Sequence, residues 1–231
     1  MPSLARRHRQ PELMDDPALP DADHRRALAG LKRINTVSGS ANVLWPALKS
    51  LAKRGPLKVL DIATGSGDVP LELHRRAEKA KLPITFAGCD TSPLAVEVAR
   101  QAAAGTPLTF FPLDVLAHPL PAGFDVFTCS LFLHHLDEPD AVRLLAKMRA
   151  ANPKLILVND LARNGLNYLL VWVASRLFSR SKVVHADGPL SVQGAFTVPE
   201  VRAMAEAAGL TGATVASRFP CRLLLEWRGA A

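Results

Sequence analysis

The sequence predicts an α/β fold of the doubly wound kind, a parallel sheet with helices on both faces. Three observations predict it. Short β-rich runs alternate with helical patterns over about a hundred residues, which favours parallel strands joined by helical crossovers. A glycine-bearing turn follows the first of these runs. The last run of the alternation, Leu155-Ile156-Leu157-Val158, is continuously apolar, as a strand buried on both faces is.

The elements follow in order. The stretch to about Asp23 carries Pro11, Pro17 and Pro20 among acidic residues and reads as irregular. From His24, the apolar residues Ala27, Leu28, Leu31 and Ile34 recur at helical spacing, and a second helical patch runs from Val43 to Leu51, broken or started by Pro46. Leu57 to Ile62 is a β-rich run that ends in the glycine turn, and Val69 to Ala80 is helical. Ile84 to Cys89 reads as the second strand. Ser92-Pro93 has the form of a helix start, serine capping and proline in the first turn, ahead of Ala95 to Ala104. Leu108 to Phe111 and Phe124 to Cys129 are strands, separated from Leu155 to Val158 by a helix over Pro139 to Ala150. Thr197-Val198-Pro199-Glu200 has capping-box spacing before a helix over Val201 to Ala208, with Gly209 placed to end it. Thr211 to Ser217 and Arg222 to Trp227 read as two closing strands.

Bulk properties narrow the class. A chain of 231 residues with 48% hydrophobic and 21% charged residues can bury one substantial core. Met1 to Gln10 holds three arginines with no apolar run behind them, so no secretory signal is expected and the location reads as cytoplasmic. Cys89, Cys129 and Cys221 show no metal or redox spacing and read as reduced core thiols. The formal charge of +7 lies outside the centre: residues 1–56 hold ten Lys/Arg against five Asp/Glu, 57–159 ten against eleven, and 160–231 eight against five. Without aromatic interleaving, the basic flanks read as solvated surface rather than as a nucleic-acid site.

The sharpest signal is Leu60-Asp61-Ile62-Ala63-Thr64-Gly65-Ser66-Gly67-Asp68, at the first strand-to-helix turn. Doubly wound folds bind nucleotides there, because glycines admit a ligand to the backbone and the helix N-terminus offers free N–H groups. Asp90 closes the second strand, 29 residues beyond Asp61, where a carboxylate can accept both ribose hydroxyls; Asp114-Val115 follows the third strand, where an acid can accept from an adenine amino group.

With acids after strands one, two and three, the chain resembles the class I methyltransferases that use S-adenosylmethionine. Its first motif is most similar to the ubiquinone/menaquinone-biosynthesis group, which also tends to have alanine where Ala63 stands. The similarity covers roughly residues 33–160. An upstream patch, Asn35-Thr36-Val37-Ser38-Gly39 with Trp45, resembles the Asn…Ser-x-Gly…Trp segment of those enzymes, with the Asn-to-Ser spacing one residue short. From Asn159 onward the chain is similar to methyltransferases of phenolic-lipid or polyketide pathways. The resemblance implies a seven-stranded Rossmann-like sheet closed by an antiparallel C-terminal strand pair. It implies that Asp61, Ala63, Thr64, Gly65 and Gly67 line the methionine moiety of the cofactor and that Asp90 holds the ribose beside Thr91 and Ser92. It also implies that Asp114 and Val115 frame the adenine, and that Ser130 joins the cofactor set.

The acceptor is less sharply written. Ser130-Leu131-Phe132-Leu133-His134-His135-Leu136 follows the fourth strand and lacks the Asn/Asp-Pro-Pro-Tyr motif of enzymes that methylate planar nitrogens. His134 and His135 are candidates for a general base. So is His185 assisted by Asp187, in Val183 to Pro189, read as a loop whose extended backbone would point both side chains one way. Leu166 to Phe178 is nearly all apolar over 13 residues, too short to span a bilayer. It reads as a core helix ahead of two alternatives, a lid over an apolar substrate or an interfacial patch with Arg176, Arg180 and Lys182 facing lipid headgroups. Residues 1–56 are expected to form a helical lid, with Trp45 or its neighbours facing the cleft, and residues 57–231 the cofactor domain, with a substrate-side insert at about 161–196. The expected reaction is O- or C-methylation of a small, mostly apolar phenolic, quinol or polyketide-like acceptor, with no metal-ligand cluster. The alternatives are an RNA methyltransferase and a non-catalytic binder of S-adenosylmethionine.

Overall fold

The computed structural model describes residues 3–16 and 18–229. Seven strands form one sheet in the order β3-β2-β1-β4-β5-β7-β6. Strands β1 (Leu57–Ile62), β2 (Ile84–Asp90), β3 (Thr109–Pro112), β4 (Val126–Ser130) and β5 (Leu155–Leu161) are parallel. Strands β6 (Thr214–Arg218) and β7 (Arg222–Arg228) close the sheet as an antiparallel pair, β7 running against β5. The expected sheet and its antiparallel closure are therefore present. Every residue of β5 is buried, which accounts for its unbroken apolar reading.

Two apolar layers cover the sheet. On one face, α5 (Glu138–Ala150) and α8 (Val198–Ala207) bury Leu144, Leu145, Met148, Val201 and Met204 against Leu60, Phe127, Ile156 and Val158. On the other, α2 (Ser40–Ala52), α3 (Asp68–Lys79) and α4 (Pro93–Ala102) bury Leu44, Leu48, Leu73 and Val96 against Val59, Val126, Leu155 and Leu157. Caps set the helix ends: the Ser92 hydroxyl accepts the Ala95 N–H at 3.2 Å, and Thr197 with Glu200 forms a reciprocal capping box. Gly209, at φ +75°, follows the end of α8 as a left-handed C-terminal stop does.

Four expectations are corrected. Pro46 lies inside α2 rather than at its edge. Trp45 packs, half-buried, on the α2–α3 core layer, while the wall of the cleft comes from α1 (Asp21–Ser38), through His24, Leu28, Leu31 and Ile34. Residues 183–189 belong to a helix, α7 (Lys182–Gly194), which contains Pro189. The apolar segment forms α6 (Gly165–Phe178), and its only buried residues are Asn167 and Ser175. It is thus no core helix. Among the described residues, no helix is long and apolar enough to cross a membrane.

The first turn shows why its glycines differ. Gly67 sits at φ +72°, and a Cβ there would lie 2.8 Å from the Phe110 ring, whereas a Cβ on Gly65, at φ +53°, would meet nothing within 4 Å. Gly67→Ala is expected to cost about 2–4 kcal/mol from backbone strain and overpacking together. Gly65→Ala should cost only the backbone share, about 1–2 kcal/mol. Urea unfolding of the two variants checks the difference; equal losses would contradict this account of the turn.

Candidate active site

Parallel strands diverge where β1 is flanked by β2 on one side and β4 on the other, and the cleft outside their carboxyl ends is where such sheets take ligands. A cavity of about 1410 Å³ opens there, larger than a pocket for one small molecule. One half is lined by Asp61, Ala63, Thr64, Gly65, Ser66 and Asp68, but not Gly67, together with Asp90, Thr91, Ser92, Asp114 and Val115; the other by α1, α6 and the segment 130–136.

The first half is polar and tightly hydrogen-bonded. Asp61 is 2% exposed, and its two oxygens accept the Thr64 hydroxyl at 2.8 Å and the Thr128 hydroxyl at 2.6 Å. Burial pushes its pKa up to about 7, against the pull of those hydroxyls. Among the described residues no cation pairs with it. Asp90 accepts the Gly65 N–H at 2.8 Å and the Ser92 N–H at 2.9 Å, which ties β2 to the first turn. Burial raises its pKa too, opposed by those N–H groups. Asp114 accepts the Leu116 and Ala117 N–H groups at 2.8 and 3.1 Å, and they lower its pKa. Ala63 takes φ 52°, in the left-handed region. Asp68, half-buried at the start of α3, accepts the Asn35 amide at 3.1 Å and so joins α1 to the turn.

The second half contains a charged corner. His134 Nδ1 donates to Asp160 Oδ1 at 2.6 Å, and the His134 backbone N–H donates to Asp160 Oδ2 at 3.0 Å. That fixes the proton on Nδ1 and turns Nε2 toward Glu12, whose Oε1 lies 3.7 Å away. Burial opposes ionisation of Asp160, but the His134 imidazole beside it and the hydrogen bonds it accepts hold its pKa below the ordinary value. His135 Nδ1 lies 2.9 Å from Asp15 Oδ2 and its Nε2 3.8 Å from Glu12 Oε2. Burial works against its charge, yet Asp15 and Glu12 raise its pKa to about 9. Glu12, His134 and His135 present ligand atoms within 4.8 Å of one another, a grouping able to hold a metal ion. The expected absence of a metal-ligand cluster is corrected in geometry, because the carboxylate comes from far along the chain.

His185 and Asp187 are not brought together as a base. In α7 an i, i+2 pair points to opposite sides, and neither residue lines the cavity. His185 Nε2 donates to the Ser179 carbonyl at 2.8 Å. Asp187 instead accepts the Leu13 and Met14 N–H groups at 2.9 and 3.0 Å, pinning the turn Leu13–Asp15 beside the charged corner. Burial raises its pKa to about 6. Arg222 on β7 also borders the cavity, bonded through Nη2 to the Ser38 hydroxyl at 2.6 Å. Burial lowers its pKa to about 10. The residues that sequence reasoning missed are Glu12, Asp15, Thr128, Asp160 and Arg222. Only Asp160 had a local signal, an acid at the carboxyl end of a fully buried strand.

Residues 59–152 match the family model described as a methyltransferase domain. The chain is 31% identical over 128 residues to the demethylmenaquinone methyltransferase of Thermus thermophilus, covering 53% of this chain and 56% of that protein. It is 33% identical over 116 residues to the Deinococcus radiodurans protein of the same name, covering 48% and 46%. The chain thus spans about half the length of these curated relatives. A solved structure of human N-acetylserotonin methyltransferase superposes with a TM-score of 0.66 at 15% identity, covering 90% of this chain and 57% of that one; at that identity the likeness is one of fold. Over residues 59–152 the chain is thus similar to methyltransferase domains. The polar half of its cleft suits S-adenosylmethionine: a buried carboxylate without a cation faces an open turn, and Gly65 leaves its side of the turn clear.

The role of Asp187 is open to direct measurement. Hydrogen bonds to a charged group contribute about 1.5–3 kcal/mol, so Asp187→Ala should speed amide exchange at Leu13 and Met14 about tenfold or more. His185→Ala should leave both amides unchanged. Exchange unmoved by Asp187→Ala would show that the turn is held otherwise.

Proposed function

We propose that this protein transfers a methyl group from S-adenosylmethionine to a small, mostly apolar acceptor that carries an acidic hydroxyl of the phenol, quinol or enol type. The observation that carries the reading is the His134 imidazole, which lines the same cavity as Asp61 and Asp90 and is backed by the buried Asp160 carboxylate. Asp61 would take the methionine ammonium, with Ala63, Thr64, Gly65 and Gly67 shaping the turn around it. Asp90 would hold the ribose beside Thr91 and Ser92, Asp114 and Val115 the adenine, and Ser130 the floor between cofactor and acceptor. The cofactor supplies an electrophilic methyl on a sulfonium, which asks the protein for alignment and for a deprotonated nucleophile.

The acceptor would lie between α1 and α6, against Leu28, Leu31, Leu170 and Ala174, its hydroxyl toward the charged corner. His134, held by Asp160, takes the proton on Nε2. His135, charged below about pH 9, favours the oxyanion that results. Residues 1–56 act as a lid: Asn35 fastens α1 to Asp68, and the Arg7 guanidinium bonds the Leu136 carbonyl at 2.6 Å and the His134 carbonyl at 3.0 Å. A closed lid excludes water from the reacting atoms. The names of the curated relatives and the N-acetylserotonin enzyme support acceptors of this size and polarity.

Cofactor affinity should depend on pH through Asp61. Its pKa of about 7 leaves it neutral below that value, so calorimetry is expected to show affinity rising as pH climbs through 7. Asp61→Asn should flatten that rise and weaken binding about tenfold or more at the alkaline end. A pH-independent wild type would remove Asp61 from the ammonium contact.

Turnover tests the base. With a phenolic acceptor, His134→Gln is expected to lower kcat by ~10²–10⁴ while S-adenosylhomocysteine binding is kept, and Asp160→Asn to lower it less. Unchanged kcat would refute the assignment. Activity abolished by a chelator and restored by zinc would give the corner to a metal ion instead.

A further inference from the structure

Helix α6 is mostly apolar, yet its apolar side chains lie on the surface or at the cavity while its two buried residues, Asn167 and Ser175, are polar. Leu170, Ala174 and Phe178 line the cavity. Leu169, Val173 and Leu177 recur at helical spacing on the outer side and, with Leu166 at the cavity's edge, are exposed, Leu177 by 72%. A helix of that kind is ordinarily buried by a partner or by lipid. Phe219, at the turn between β6 and β7, is 90% exposed and also borders the cavity mouth. The exposed apolar surface is therefore continuous with the entrance to the acceptor half.

At the C-terminal end of α6 a separate cleft of about 360 Å³ is lined by Arg33, Arg176 and Arg180 with Leu177, Phe178 and Ser179. The Arg176 guanidinium stacks over Trp172 at 4.0 Å and donates to the Trp172 carbonyl; Arg33 donates to the Ala29 carbonyl. Among the described residues, none of the three meets a carboxylate. Three guanidiniums around one cleft, beside an aliphatic stripe, match a phosphate attached to an acyl chain.

We propose that this face docks on a bilayer containing anionic phospholipid. The headgroup phosphate enters the three-arginine cleft, the stripe Leu166–Leu177 and Phe219 lie among the acyl chains, and the cavity mouth opens onto the membrane. A second copy of the chain would cover the stripe but carries no phosphate for the three-arginine cleft. RNA fits less well too, since an aliphatic stripe gives bases nothing to stack on. That the bilayer delivers the acceptor rests on the function proposed above; the docking itself does not.

The test is flotation with vesicles of phosphatidylcholine alone and of phosphatidylcholine with phosphatidylglycerol, read together with tryptophan emission. The protein should float with the anionic vesicles and show a blue shift that Trp172→Phe removes. Val173→Glu with Leu177→Glu should abolish flotation, and Arg176→Glu with Arg180→Glu should weaken it about fivefold or more for each cation lost. None of these four side chains lines the main cavity, so S-adenosylhomocysteine affinity must be retained, which also verifies folding. Equal behaviour on both vesicles, or flotation surviving the glutamates, overturns the proposal. So does glycerol phosphate binding without flotation, dimerisation that Leu177→Glu abolishes, or RNA binding that the arginine variants lose. Protein that floats but transfers no methyl group refutes the function alone; protein that transfers but does not float refutes the interface alone.

Discussion

The rest of the cleft depends on a carboxylate buried where β1 ends. Asp61 is held by two hydroxyls, one from its own turn and one from β4. A buried carboxylate is costly unless it is hydrogen-bonded, so this arrangement locks the turn to the neighbouring strand at the point where the parallel strands diverge. Asp90 repeats the device from β2, accepting the Gly65 N–H. Two acids at the ends of adjacent strands thus build the backbone turn before any ligand arrives. Their raised pKa values follow from the same burial. A site made this way is poised for a cation and for hydroxyl donors, and preorganisation reduces what binding must spend on ordering.

The acceptor half is built by a different rule. Its polar groups come from segments distant in sequence: Glu12 and Asp15 from the N-terminal turn, His134 and His135 after β4, Asp160 from β5. Asp187 holds the N-terminal turn in register, and Arg7 fastens the neighbouring stretch to carbonyls of the histidine segment. The corner exists only when the N-terminal segment is in place. If residues 1–56 act as the proposed lid, its closure would assemble the charged corner, and an open protein would keep its first turn and lack its full set of acids.

What was legible in the sequence follows from these two rules. Local grammar wrote the sheet: alternation, the Ser92-Pro93 cap, the Thr197–Glu200 box and the glycine turn are each set by residues a few positions apart. The acids Asp61, Asp90 and Asp114 were legible because strand ends repeat in a fixed order, and the structure brings all three to one cavity. Glu12 was not legible. Nothing near it announces a partner 122 positions away, and its segment is too rich in proline to show a period. His185 and Asp187 misled for the opposite reason: Gly188-Pro189 reads as a turn, but proline is tolerated inside α7, and the helical backbone then separates side chains that an extended one would align.

Helix α6 shows how far hydrophobic pattern can be carried. An apolar run of this length says that the segment avoids water, without saying what replaces it. The reading as a core helix assumed that the replacement is protein. In the structure one side faces the cavity and the other faces outward, so neither side is satisfied by the fold alone. On the proposed function an apolar acceptor would satisfy the inner side, entering through a mouth bordered by Leu166, Phe178 and Phe219. The apolar character inside and outside the helix would then answer one demand, that a molecule poorly soluble in water pass from its source to the reacting atoms without crossing bulk solvent. On the proposed docking, the arginines at the helix end would add what apolar surface cannot, a fixed orientation of the mouth toward an anionic layer.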